Sequence, residues 1–213
     1  MSRIADYVKL GLMRLSLNRI LVRGRRGERR LYLTFDDGPS AVHTPAILDL
    51  LDQYGVKATF FIVGRDAQVR PEVVRQLVAA GHELGNHTLI HPRMDLLSNR
   101  GRDLEINGME QLLANFDGGA AHYFRPPYGG LSVSLLTYCL AAGHRVALWS
   151  RDSLDYGGDA ERVVASFDAR QPVAGDILLF HDDGVTAQLA LARLLPGWLA
   201  AGFSFHTLSE ALQ

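Results

Sequence analysis

The feature that most constrains this chain is an alternation running from Arg30 to the C-terminus. Short runs rich in β-branched, aromatic and aliphatic residues occupy 31–35, 59–63, 122–125, 145–149, 177–180 and 203–206. Between them lie runs with helical spacing at 45–54, 71–80, 104–116, 132–142, 160–169 and 187–200. Pro or Ser opens several helical runs, and Gly55, Gly81, Gly143 and Gly202 fall just after them. Strands that are apolar throughout and joined by helices require a parallel sheet covered on both faces, either open or closed into a barrel. Periodicity does not choose between the two. In both, loops at the C-terminal ends of the strands build the functional site, because the scaffold behind them is rigid and helix N-termini point there.

The 213 residues, 47% hydrophobic and 21% charged with a mean hydropathy of +0.02, suit a single soluble-type core and exclude a multi-span membrane protein or a disordered chain. One cysteine, Cys139, excludes a disulfide scaffold and a Cys-rich zinc finger. Charge is unevenly spread. Residues 1–30 hold nine Lys/Arg against two acids, and the remainder 13 against 21. An acidic body argues against a nucleic-acid partner, while the basic arm could meet an anionic membrane surface. With no repeat and no Pro/Ser-rich linker, the boundary is expected at the Arg-rich stretch, giving a basic helix or arm over 1–29 and one catalytic domain over 30–213. Ile4, Val8, Leu12 and Leu15 share a helical face in the arm, but Lys9, Arg14 and Arg19 interrupt the apolar run. Neither a signal-peptide core of about 7–15 apolar residues nor a span of about 18 is formed, so a cytoplasmic location, or a peripheral one at the inner membrane face, is expected.

Five strand-end motifs carry the chemistry. The first strand ends in Asp36-Asp37-Gly38-Pro39, where a turn could bring two neighbouring carboxylates into one pocket; read alone, it is as well explained by an Asp-Gly-Pro turn. His87 and His91 in His87-Thr88-Leu89-Ile90-His91-Pro92 have the four-residue spacing at which one helical turn presents two imidazoles to a divalent cation. Asp36 or Asp37 would supply a third ligand, giving the open two-His, one-carboxylate set of catalytic sites. Arg125-Pro126-Pro127-Tyr128-Gly129-Gly130 combines a stiff loop with a close backbone approach, suited to an oxyanion donor and to an Arg that holds a carboxylate. Asp152-Ser153-Leu154-Asp155-Tyr156 and Leu178-Leu179-Phe180-His181-Asp182 supply a His at a strand end and a carboxylate to orient it, as a general acid needs. His43, His82, His122, His144 and His206 match no ligand position and read as structural.

Together and in this order, the five motifs resemble those of the polysaccharide deacetylase family, the NodB-homology group of carbohydrate esterase family 4, over residues 30 to about 210. The resemblance implies a single-domain α/β fold, a distorted (β/α) barrel usually of seven strands. It further implies a metal-dependent hydrolase that removes N-acetyl groups from amino-sugar glycans or glycoconjugates of the N-acetylglucosamine type. Carried over by motif, Asp36 is the base and His181 the acid. Asp37, His87 and His91 hold a divalent metal, most often zinc, that activates water. Arg125 pairs with Asp36 and Asp155 orients His181. The backbone N–H of Tyr128 stabilises the oxyanion, and Pro127, Tyr128, Tyr156 and Leu178 contact substrate around a small acetyl pocket. The sequence departs from the family at Tyr156, where a Trp is usual, which leaves the substrate preference open. Two alternatives are a deacylase or deformylase of a lipid-linked or nucleotide-linked amino sugar and a non-catalytic sugar-binding module; the complete motif set argues against the latter.

Overall fold

The computed structural model describes residues 19–25 and 27–212. In chain order these form β1 (Ile20–Leu21), β2 (Arg30–Asp36), α1 (His43–Gln53), β3 (Thr59–Ile62), α2 (Gly64–Val69), α3 (Pro71–Ala79), β4 (Glu83–Asn86), α4 (Asn99–Asp117), β5 (Tyr123–Phe124), α5 (Val133–Ala142), β6 (Arg145–Ala147), β7 (Arg151–Asp152), α6 (Ala160–Ala169), β8 (Ile177–His181), α7 (Val185–Ala200) and β9 (Ser204–Phe205). The helix expected in the basic arm falls mostly outside the described residues. The part that is described corrects one expectation: Ile20 and Leu21, assigned to the arm, form an edge strand paired with Val146 and Ala147 of β6. Both residues are buried, and burial of this apolar pair holds them against the sheet. No helix among the described residues is long and apolar enough to cross a membrane.

All pairings are parallel, in the order β1-β6-β5-β4-β3-β2-β8-β7, with β9 alongside β2. The fold is the expected α/β one, a curled parallel sheet in one domain, but eight strands lie along its path where seven were expected. The extra strands are two-residue pieces. β6 and β7 are the two ends of one bent run, 145–152, which pairs with β5 at its start and with β8 at its end. That run links the two flanks of the curled sheet.

Period-two alternation along β2 explains both the core and the site. Leu31, Leu33 and Phe35 point to the helices and join Ile47, Leu51, Leu191 and Leu195 in the main core. Tyr32 points the other way, into a second cluster with Phe61, Tyr123, Ala147 and Ile177 inside the curl. Thr34 and Asp36 share its parity, so the strand carries Asp36 up the inner face to its C-terminal end. β8 repeats the pattern: Leu178 and Phe180 enter the main core, whereas Ile177, Leu179 and His181 face inward.

Two elements had no clear periodic signal. β4, with sequence Glu-Leu-Gly-Asn, becomes a strand by pairing with β3 and β5, and Gly85 is required there because a Cβ would lie 2.5 Å from the Phe61 ring. α2 is a six-residue helix that fills the turn before α3. Helix α4 starts earlier than its spacing suggests. Ser98 caps it by accepting from the Gly101 N–H, a contribution of about 1 kcal/mol, and Gly118, left-handed at φ 70°, ends it. Its stripe of Arg102, Ile106, Met109 and Leu113 is buried.

Candidate active site

The inward-facing ends of β2, β4 and β8 and the loops after β5 and β7 converge on one cavity of about 390 Å³. It is lined by Asp36, Asp37, His87, His91, Tyr128, Gly129, Trp149, Asp152, Tyr156, Leu179 and His181. Asp36 and Asp37 both reach it because Asp37 leaves the strand with φ 75°, so the expected alternation of neighbours is broken at that residue.

Asp37, His87 and His91 present ligand atoms that all lie within 4.8 Å of one another. Asp37 Oδ1 is 3.3 Å from His87 Nε2 and 3.0 Å from His91 Nε2. The four-residue spacing does not lie on a helical turn, as its sequence suggested. Residues 87–91 form an irregular loop in which Thr88 and His91 are left-handed, φ 74° and 60°, and Pro92 follows. The loop still turns both imidazoles inward. His87 Nδ1 donates to the Arg125 carbonyl at 2.8 Å, which fixes the tautomer and leaves Nε2 with its lone pair toward Asp37.

This arrangement fits a cation. Asp37 Oδ1 is buried without a hydrogen-bond partner, facing a nitrogen that bears a lone pair, and two imidazoles with one carboxylate suit a divalent ion such as zinc. Burial works to raise the Asp37 carboxyl, but the adjacent imidazoles of His87 and His91, which favour a negative charge at this point as a cation would, outweigh it and hold the group well below the usual carboxylate range.

Behind the cavity, Arg125 is fully buried. Its guanidinium lies 2.6 Å from Asp36 Oδ1, donates to Thr34 Oγ1 at 2.9 Å and to the carbonyls of Ala147 and Leu148 at 3.3 and 3.0 Å, and stacks 3.9 Å from the Phe61 ring centroid. His181, the register partner of Asp36 on β8, donates from Nδ1 to Asp155 Oδ1 at 2.7 Å, and its backbone N–H donates to Asp155 Oδ2 at 2.9 Å. Burial works against its charge, yet the hydrogen bond and charge of Asp155, with the charges of Asp36 and Asp37, push the imidazole up to about 9.

Sequence reasoning placed most of these residues. Asp36, Asp37, His87, His91, Tyr128, Tyr156 and His181 line the cavity, and Arg125 and Asp155 support it from behind. Two expected substrate contacts are corrected. Leu178 points to the helices and is buried in the main core; Leu179, of the same parity as His181, lines the cavity in its place. Pro127 is buried under the loop and does not line the cavity, which Tyr128 and Gly129 reach instead. Trp149 was not among the expected substrate contacts, although its place at the end of the apolar run 145–149 was a signal. It packs where Gly129 (φ 61°) has no Cβ, since one there would sit 2.7 Å from Trp149 Cη2.

The sequence model of the family described as polysaccharide deacetylase matches residues 23–147. The chain belongs to the polysaccharide deacetylase family. It is 34% identical over 191 residues to a peptidoglycan-N-acetylglucosamine deacetylase of Bacillus cereus, covering 87% of this chain and 89% of that protein. It is 34% identical over 208 residues to a chitooligosaccharide deacetylase of Sinorhizobium fredii, covering 90% and 96%. Among solved structures, the Bc1960 peptidoglycan N-acetylglucosamine deacetylase, in complex with a naphthalenyl N-oxidanyl-benzamide, superposes with a TM-score of 0.88 at 29% identity, covering 94% of this chain and 96% of that one. With its family model and its relatives named as deacetylases of polysaccharide and peptidoglycan, this chain is a hydrolase of the N-acetyl sugar deacetylase kind. BA3943 of Bacillus anthracis, a pseudoenzyme of the same esterase family, shares the fold with a TM-score of 0.83 at 22% identity, over 91% of this chain and 69% of that one. Fold alone therefore does not decide activity, and the argument rests on the side chains.

Proposed function

We propose that this member of the deacetylase family hydrolyses the N-acetyl group of an N-acetylglucosamine-type unit within a glycan, with Asp36 as general base and His181 as general acid. The observation that carries the reading is the pairing of two opposed environments at one cavity. Asp36 is a buried carboxylate held by a guanidinium, and its neighbour across the ladder, His181, is an imidazole held in its cationic form. One accepts a proton from water and the other delivers one to the departing amine, without which the C–N bond does not break.

Asp37, His87 and His91 would hold the metal, and zinc suits the donor set. When bound there, a divalent cation supplies an acidified water and polarises an acyl oxygen. Tyr128, left-handed at φ 58° between Pro127 and Gly129, would aim its backbone N–H at the developing oxyanion. Leu179 and Trp149 would bound the acetyl methyl. The Tyr156 ring stands edge-on to His181, 5.7 Å between centroids, in the place of the family Trp, and would screen the acid from solvent.

A polymeric or oligomeric substrate is favoured by the surroundings. Two further clefts, of about 360 and 280 Å³, share Asp37 with the central cavity and extend it past Arg65 and Arg70 on one side and past Gly158 and Thr186 on the other. These would seat neighbouring sugars. The test is acetate release from an N-acetylglucosamine oligomer by metal-stripped protein before and after zinc is restored. Zinc-dependent release, abolished in Asp36→Asn with zinc still bound, is expected. Equal loss of zinc in Asp36→Asn and His87→Ala would overturn the division of roles. Stoichiometric zinc with no release would move the substrate to a lipid-linked or nucleotide-linked amino sugar.

A further inference from the structure

In the loop that carries His87 and His91 the Thr88 and Leu89 carbonyls accept from the Gly64 and Arg65 N–H groups at 2.9 and 2.6 Å, whereas its own N–H groups are held mainly by side chains. Its five N–H groups can be followed one by one. That of His87 donates to the Ile62 carbonyl of β3 at 3.0 Å, the sole ladder bond of the set. That of Thr88 donates to Asn86 Oδ1 at 3.0 Å. Those of Leu89 and Ile90 both donate to one oxygen, Glu105 Oε2, at 2.9 and 3.1 Å. That of His91 donates to Thr88 Oγ1 at 3.0 Å.

Two of these anchors trace back to helix α4. Glu105 reaches the loop directly. Asn86 is fixed because its Nδ2 donates to the Ile106 carbonyl at 2.9 Å and to Glu110 Oε1 at 2.8 Å, so its Oδ1 must face Thr88. Glu110 is fixed in turn by His122, whose backbone N–H and Nδ1 donate to its Oε2 at 3.1 and 3.0 Å. The other ring nitrogen of His122 donates to Asp117 Oδ2 at 2.9 Å. With a carboxylate on each nitrogen, His122 is an imidazolium, which gives this histidine a task that its sequence context did not suggest. Leu89 seats the loop against α4 at Gly108, where a Cβ would lie 2.8 Å from Leu89 Cδ1.

From this geometry we infer that Glu105, and the side chains of Asn86, Glu110 and His122 acting in series, are positioning residues that hold the His87 and His91 imidazoles at the spacing a metal ion requires. The inference rests on the reading of His87 and His91 as ligands. Left-handed backbone at Thr88 and His91 has a conformational cost, and successive N–H groups converging on one point form a concavity that a carboxylate oxygen fills. Without Glu105 two N–H groups of the loop lose their acceptor, the loop relaxes, and the two Nε2 atoms no longer arrive pre-set.

The test is zinc affinity, read by competition with a chromophoric chelator on folded, metal-stripped full-length protein, so that no turnover is needed. Glu105→Ala should weaken zinc about 10- to 100-fold, the usual range for loss of a group that orients a ligand. Glu105→Gln keeps the reach and an acceptor oxygen while losing the charge; Glu105→Asp keeps the charge while losing the reach. Positioning requires Gln to bind zinc more tightly than Asp. The reverse order would show that Glu105 acts only through its charge and would overturn the inference, as would wild-type affinity in all three variants. Should Glu105→Ala fail to fold, the order of Gln and Asp decides alone. Wild-type protein that takes up no zinc would overturn the metal-site reading itself, whereas uptake by wild type with unchanged variants overturns only the positioning role.

Discussion

At the scale of single residues, His181 has the most testable chemistry. Its imidazole is pushed up to about 9 chiefly by Asp155, against the opposing effect of burial. A proton donor with that value stays loaded through neutral pH. Turnover should therefore fall as pH rises through about 9, and Asp155→Asn should move the fall toward the ordinary histidine value near 6.5. A kcat profile with an unmoved alkaline limb in Asp155→Asn would show that another group sets it. The same shift bears on stability. A folded value above the unfolded one gives stabilisation fully present below about pH 6.5 and lost as pH rises through about 9. Residue identity was the most legible part of the sequence, because strand-end charges in an apolar chain stand out. Which of two adjacent leucines faces the cavity was legible too, by parity with His181, but needed strand phase rather than motif position.

At the scale of elements, the His87–His91 spacing shows how a pattern can point to the correct residues through the wrong backbone. An i, i+4 pair shares a face of a helix, yet here it converges by way of two left-handed residues, Thr88 and His91, between which the Leu89 and Ile90 N–H groups donate to Glu105 of α4. Nothing in the five residues themselves announces that support, since it comes from residues 14 to 35 positions away in sequence. β4 was hidden for a similar reason: its strand character comes from neighbours. At its foot, His82 Nδ1 accepts the Ala58 N–H at 3.2 Å and links the starts of β3 and β4 in the neutral form. Burial, with the nearby Lys57 charge, lowers this imidazole to about 4. The unfolded chain therefore binds a proton that the folded one refuses between about pH 4 and 6.5, so stability should rise with pH across that window, by up to about 1.4 kcal/mol per pH unit. Denaturant titrations of His82→Gln should show this slope reduced by close to one proton; an unchanged slope would assign the acid sensitivity elsewhere.

At the scale of the whole molecule, the α/β class was readable from alternation alone, while the route by which the sheet curls was not. The link runs through β6 and β7, pieces of three and two residues in one bent run, below the length at which a periodic signal accumulates. Arg125 sits where that curl draws together β2, β5 and the 145–152 run, and it holds Thr34, Asp36, Ala147 and Leu148 at once. Removing one partner of a fully buried ion pair costs about 3–5 kcal/mol, and Arg125→Met should lose that much in a urea titration. Asp36→Asn keeps an acceptor oxygen for the guanidinium and should lose far less. Equal losses would mean that the curl does not depend on this residue.

Arg125 also joins two parts of the chemistry through different atoms: its guanidinium holds Asp36, and its carbonyl accepts from His87 Nδ1. In the proposed roles, the proton acceptor and one arm of the cation cradle would thus be mounted on a single bracket. A change in the Arg125 main chain would therefore be felt at the Asp36 carboxylate and the His87 ring together, and one substitution there reaches both.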